Sequence, residues 1–172
     1  LRPRRQRQMC IRDSGYTIGH SLRRILLSYM PGAAVTEVKI EGVAHEYGTI
    51  EGVKEDILDI LLNLKDMAIK LDGSNEAELK LDIKTPKTIL ASDLEVPAGV
   101  EIIDPNHVIA TLVEPKKLVM TLKVCTGVGY EPAENIQNKG VDSLHLDAIF
   151  SPVKRVNYKV ENTRVENRTD LD

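Results

Sequence analysis

Residues 35–41, VTEVKIE, alternate between two kinds of side chain, and this stretch decides the fold class of the chain around it. Successive side chains of a strand point to opposite faces of a sheet. The stretch therefore predicts a strand that is buried on one face only. One face carries Thr36, Val38 and Ile40, and the other carries Glu37, Lys39 and Glu41.

The segment before this strand follows a different period. From Thr17 to Met30 the apolar residues recur at helical spacing, and the pair Pro31-Gly32 ends the run. The pattern predicts an amphipathic helix that leads directly into the strand. Its apolar stripe consists of Ile18, Leu22, Ile25, Leu26 and Tyr29.

Residues 54–70, KEDILDILLNLKDMAIK, predict a second helix, which opens with acidic residues that suit the positive end of its dipole. A helix that is apolar over more than half of its circumference has to be covered on two sides. We expect its own domain to cover one side and something else to cover the other. One face is formed by Ile57, Ile60, Leu61, Leu64 and Met67, and a second flank by Leu58, Leu62 and Ile69.

The rest of the chain is dominated by strand patterns, in which apolar and polar residues alternate or short apolar runs are broken by proline and glycine. Together with the two helices, these patterns predict an α+β fold with a β-rich block. The strand-like segments are ELKLDI (78–83), HVIATLV (107–113), LVMTLKVC (118–125), SLHLDAIF (143–150) and VNYKVENTRVE (156–166).

Composition limits the classes of protein to which the chain can belong. Hydrophobic residues make up 42% of the 172 residues and aromatic residues only 3%, so aliphatic side chains must build the core. No apolar run approaches the roughly 20 residues of a membrane span, and we expect a cytoplasmic protein without a membrane anchor. Cys10 and Cys125 lack the spacing of a zinc or redox site, so no cofactor is predicted.

Two residues could serve either structure or recognition. At about 100° per residue, Leu27 falls close to His20 and Arg24, on the side of the first helix opposite the apolar stripe. Either another part of the chain covers Leu27, or it forms a protein-binding patch with the basic residues beside it. Lys65, within the apolar arc of the second helix, is either a surface residue with its ammonium in water or a contact.

Catalytic sites are poorly supported. His45-Glu46 is not followed by the second histidine of a HExxH zinc site. GVGY at residues 127–130 lacks the spacing of a phosphate-binding loop. A small cytoplasmic enzyme that uses His45, Glu46 and Asp56 is the alternative hypothesis for function.

The N-terminus has its own charge. Residues 1–14 contain five arginines and one aspartate, and removing this net +4 from the total of −3 leaves −7, which disfavours nucleic-acid binding by the remaining chain. A basic arm could bind nucleic acid, which is a third hypothesis. However, residues 4–14, RRQRQMCIRDS, match the translation of a transposase-tagging sequencing adapter, and we therefore expect residues 1–14 to be non-native.

Several long segments of residues 15–172 together resemble the N-terminal domain of the bacterial RNA polymerase α subunit. The segments are GYTIGHSLRRILLSYMPGAAVTEVKIEGVAHEY, GVKEDILDILLNLK, DPNHVIA, GVGYEPA and DAIFSPVKRVNYKVENTRVENRTDLD, in the family's order. The resemblance implies a non-catalytic scaffold subunit of DNA-directed RNA polymerase, a nucleotidyltransferase complex. By the same resemblance, its homodimer would nucleate assembly of the large β and β′ subunits for DNA-templated transcription.

The resemblance also implies two intergrown subdomains. Residues 15–31 and 151–172 would form an incomplete α/β dimerisation subdomain, which is interrupted by a β-rich insert subdomain at residues 32–150. The apolar stripe of the first helix, Ile18, Leu22, Ile25, Leu26 and Tyr29, would form the dimer interface. Contacts with the β and β′ subunits would involve Arg24, Leu27, His20, Lys65, Leu146 and Asp147. No direct DNA binding is implied for this part of the family's chain.

Overall fold

The computed structural model describes residues 14–43, 45–135, 143–161, 163–165 and 168–171. Two compact units make up the chain, one of Leu1–Met30 with Val153–Asp172 and the other of Pro31–Pro152. The described residues contain two α-helices and twelve strands, which confirms the α+β prediction. The helices are α1 (Ser14–Ser28) and α2 (Ile57–Asp66), and the strands are β1 (Pro31–Ile40), β2 (Ile69–Leu71), β3 (Glu76–Ile83), β4 (Lys87–Leu90), β5 (Val100–Ile102), β6 (Val108–Leu112), β7 (Leu118–Val128), β8 (Tyr130–Glu131), β9 (Leu144–His145), β10 (Ala148–Ile149), β11 (Thr163–Val165) and β12 (Arg168–Leu171).

The larger unit is organised around the antiparallel pairing of β1 with β7, which runs from Pro31 opposite Val128 to Ile40 opposite Met120. Strand β3 pairs with the other edge of β7. The other edge of β1 pairs with β2 near its start and with β9 near its end. The resulting sheet has the order β3-β7-β1-β2-β5, with β9 attached to β1.

Side chains on one face of this sheet form the core of the larger unit. Alternate residues of β7, Leu118, Met120, Leu122 and Val124, are buried, and the residues between them are half-buried. In β3 the alternation is between buried and exposed residues. The predicted alternation in these two segments is therefore confirmed, because a strand with one solvated face separates its side chains in this way.

A β-bulge interrupts β1 and changes which residues share a face. Val35 pairs with Val124, and Glu37 pairs with Lys123, so Thr36 is the extra residue. Val35, Val38 and Ile40 all enter the main core, whereas the Thr36 hydroxyl lies 3.4 Å from Cys125 Sγ. Thr36 is buried as predicted, but it does not share a face with Val38, because the bulge shifts the alternation by one residue.

Helix α2 covers the core with one face. Ile57, Ile60, Leu61 and Leu64 are buried, and so is Met67 at the C-terminal cap position. The helix is shorter than predicted, because the chain is extended at Met67, and Ile69 lies in β2, where it pairs with Ala33. The prediction that Ile69 belongs to the second flank of the helix is therefore wrong.

Polar contacts fix both ends of α2 against β6. The carboxylate of Glu55, just before the helix, accepts a hydrogen bond of 2.6 Å from the backbone N–H of Thr111. Near the other end, the Asn63 side-chain amide donates to the carbonyl of Ile109 at 3.0 Å. The His107 ring donates through Nε2 to the carbonyl of Asn63 at 2.7 Å. These partly buried bonds fix the rotation of the helix and therefore decide which side chains point outward.

The strand predicted at residues 156–166 forms only in part. Residues 151–161 have no regular structure, and β11 begins at Thr163. The expected non-native segment lies outside the described residues, apart from Ser14. Of the helices that are described, neither is both long enough and apolar enough to cross a membrane.

We expect Leu122→Ala to lower the free energy of unfolding of the chain by about 2–5 kcal/mol, because it leaves a cavity at a fully buried site of β7. Chemical denaturation followed by circular dichroism measures the change. Thr121→Ala, one residue earlier on the half-buried face, is the matched control, with an expected loss below about 1 kcal/mol. Equal losses for the two variants would contradict the placement of the core.

Candidate protein-binding surfaces

The predicted apolar stripe of α1 lies largely at the surface of the chain. Ile18, Leu22, Ile25 and Tyr29 are 46–64% exposed, and Leu26 is half-buried. The only buried residue among those described in this helix is Gly19. Four large apolar side chains in line on one helix form an exposed patch that favours association with another surface.

The opposite side of α1 carries the predicted basic and aliphatic surface. Arg24 and His20 are exposed and Leu27 is half-buried. The His20 ring also meets a residue of its own chain, since its centroid lies 5.5 Å from that of Tyr158, at an interplanar angle of 78°. This edge-to-face arrangement is favourable for two rings. The structure therefore brings His20, Arg24 and Leu27 to one side of the helix, with Tyr158 beside them.

A second candidate surface lies in the larger unit, where α2 meets the segment that follows β9. Lys65 Nζ and Asp147 Oδ2 are 3.9 Å apart, and both side chains are partly exposed. An ion pair of this length at the surface contributes little to stability. Lys65 can therefore exchange Asp147 for an acidic group on a partner at small cost.

Asp147 is fixed mainly by other groups. The backbone N–H of Ala133 donates to Asp147 Oδ1 at 3.0 Å. This bond, helped by one from the Tyr130 hydroxyl and by the charge of Lys65, holds the pKa of the Asp147 carboxyl below its usual value, against the effect of burial. The pKa of Tyr130 is raised by desolvation and by Asp147. The carboxylate is therefore ionised at neutral pH and points in a defined direction.

Leu146 and the apolar flank of α2 differ in their exposure to solvent. The side chain of Leu146 is buried in the core, and its N–H donates to the carbonyl of Thr36 at 3.0 Å. Leu146 thus supports the surface from below, while its neighbour Asp147 faces outward. On α2, Leu58 and Leu62 are 48% and 52% exposed. They form the apolar flank of α2 that the sequence pattern predicts to be covered from outside its own domain.

Four residues of these surfaces give no clear signal in the sequence. Tyr158 lies in an irregular segment whose alternation resembles that of a strand, so no pattern indicated its contact with α1. The contact at Gly19 was not predicted, because a glycine contributes nothing to an apolar stripe. Tyr130 and Ala133 belong to a glycine-rich loop segment, and their bonds to Asp147 depend on how this segment folds back on residues 147–149.

The residues of the alternative enzyme hypothesis are not brought into one site. His45 and Asp56 are exposed, and Glu46 accepts a hydrogen bond from the neighbouring Tyr47 hydroxyl. Within the described ranges, no hydrogen bond or ion pair joins the side chains of His45, Glu46 and Asp56. The same part of the chain contains no group of three or more His, Cys, Asp and Glu residues placed to hold a metal ion.

We expect Tyr130→Phe to raise the pKa of Asp147 more than Lys65→Gln does, because the hydrogen bond from Tyr130 lowers this pKa more than the charge of Lys65. NMR titration of the Asp147 carboxyl carbon measures both shifts. Because the folded-state pKa is lowered, ionised Asp147 stabilises the fold at neutral pH, and this contribution is lost as the pH falls through that pKa. A larger shift for Lys65→Gln would contradict the assigned contacts.

A comparison with known families covers most of the larger unit. The family model described as the RNA polymerase Rpb3/RpoA insert domain matches residues 38–151, which is more than half of the chain. The matched range contains α2, most of the central sheet, and the Lys65 and Asp147 surface. It confirms the resemblance to the N-terminal domain of the RNA polymerase α subunit. The chain therefore belongs to the RNA polymerase Rpb3/RpoA insert-domain family.

Proposed function

We propose that this chain is a non-catalytic scaffold subunit of a bacterial, cytoplasmic DNA-directed RNA polymerase. Its homodimer binds the large β and β′ subunits and so nucleates assembly of the transcribing enzyme. The observation that supports the proposal best is that α1 carries two different surfaces on opposite sides. One is the exposed apolar stripe and the other is the side with Arg24 and Leu27.

The apolar stripe fits an interface with a second copy of the chain. Symmetric dimers use the same patch on both subunits, and a helix stripe of Ile, Leu and Tyr can pack against its own copy. In this proposal residues 15–31 and 151–172 form the dimerisation subdomain. The β-rich residues 32–150 form the insert subdomain.

The other side of α1 fits the large subunits. Arginine can form directed, paired hydrogen bonds with a carboxylate, and a leucine beside it adds apolar contact area. We assign Arg24, Leu27 and His20 to contact with the β subunit. Lys65 and Asp147, with Leu146 buried beneath them, belong to the surface for β′ or β. Nucleotide addition is then carried out by the large subunits.

We expect Arg24→Ala to weaken binding of the β subunit by roughly thirtyfold, because loss of a central arginine contact costs about 2 kcal/mol. Affinity is measured by titrating the β subunit onto the immobilised chain. Arg23→Ala, which removes the same charge from a position about 100° away around the helix, is the matched control and should change the affinity little. Undiminished binding by Arg24→Ala would overturn the assignment of this surface.

We expect Leu22→Asp to convert the dimer into a monomer, since it places a charge within the apolar interface. Sedimentation velocity at several concentrations measures the association, and circular dichroism checks that the fold is kept. Arg23→Asp introduces the same residue outside the stripe and should still dimerise. A Leu22→Asp dimer as tight as that of the parent chain would exclude this stripe as the interface.

A further inference from the structure

We propose that Tyr158 and Gly19 form a clamp that sets the rotation of α1, and that Tyr158 is thereby a positioning residue for subunit recognition. The inference rests on the proposed function and adds residues that touch neither partner. It concerns only the smaller unit, in which Tyr158 and α1 both lie.

The ring of Tyr158 lies directly on the backbone of α1. A Cβ atom added at Gly19 would meet Cε2 of that ring, and it would lie 2.6 Å from Cδ2 and 2.9 Å from Cζ. Carbon atoms in contact are normally 3.5–4.0 Å apart. Only glycine therefore allows the ring to come this close. Glycine also weakens a helix interior, so a contact at this point explains its presence within α1.

The position of the clamp around the helix explains why it would affect both surfaces of α1. Residues turn by about 100° each along a helix. Gly19 is therefore about a quarter-turn from the stripe of Ile18, Leu22, Ile25 and Tyr29, and about the same angle from His20 on the opposite side. The clamp lies between the two surfaces, so a roll of the helix would misdirect both of them at once.

A second contact of the same ring opposes such a roll. The His20 ring meets Tyr158 in an edge-to-face arrangement, with centroids 5.5 Å apart. Tyr158 thus touches two successive positions of α1, the backbone at Gly19 and the side chain at His20. A flat ring held at two points fixes the rotation better than a single contact does, because each contact limits the slide that the other permits.

Affinity for the β subunit tests the consequence of the clamp. Tyr158→Leu keeps an apolar side chain but removes the flat ring, and we expect it to weaken binding of the β subunit about tenfold. Tyr158→Phe keeps the ring and should bind like the parent chain. Gly19→Ala should weaken binding as well, although alanine favours the helix. Loss of binding in that variant therefore cannot come from melting of α1.

A double-mutant cycle separates positioning from a general loss of stability. If Tyr158 acts by directing Arg24, adding Tyr158→Leu to Arg24→Ala should cost less than about a further twofold in affinity. Full additivity of the two effects, or normal binding by Tyr158→Leu, would overturn the proposal. Undiminished binding by Arg24→Ala would instead overturn the proposed function.

The clamp can also be measured without any partner. Residual dipolar couplings of the α1 amides in the full chain report the orientation of the helix relative to the segment that carries Tyr158. We expect this orientation to change in Tyr158→Leu and to be kept in Tyr158→Phe. An unchanged orientation in Tyr158→Leu would exclude the clamp, whatever the binding results.

Discussion

The antiparallel pairing of β1 with β7 is the constraint on which the larger unit depends. Buried backbone groups must form hydrogen bonds, and a long ladder between two neighbouring strands satisfies many of them at once. Every other strand of the main sheet joins this pair directly or through β2. Once the pair has formed, alternate residues of β7 and β3 face the same side and make the core that α2 covers.

The bulge at Thr36 changes which residues of β1 face the core. It lets Val35 and Val38 both enter the core although they are three residues apart. The carbonyl of Thr36 accepts the N–H of Leu146, next to the pairing of β1 with β9. That bond holds the segment in which Asp147 follows Leu146, so a local irregularity of the central strand sets the position of a charged group at the surface.

The function proposed for this chain depends on its surfaces. The described residues combine exposed apolar side chains on both helices with a carboxylate, Asp147, that is held by a backbone hydrogen bond. In the proposed scaffold role such surfaces have to be rigid before binding, because ordering them afterwards would reduce affinity. The bonds from Glu55, Asn63 and His107 serve this purpose for α2. In α1 the contact of Tyr158 with Gly19 has the same role in our proposal.

Residue order alone was enough to predict the α+β class, both helices, the alternation in β3 and β7, and the buried face of α2, because aliphatic side chains that are buried together recur with the period of their helix or strand. It also indicated Arg24 and Leu27 as unlike the rest of α1. Three features depend instead on how the whole chain packs. Ile69 leaves α2 for β2, Leu146 is buried while Asp147 is not, and Tyr158 meets Gly19. These outcomes depend on strand register, on a bulge and on contacts between residues far apart in the chain. No local pattern encodes them, since each is fixed by the competition of distant segments for the same space.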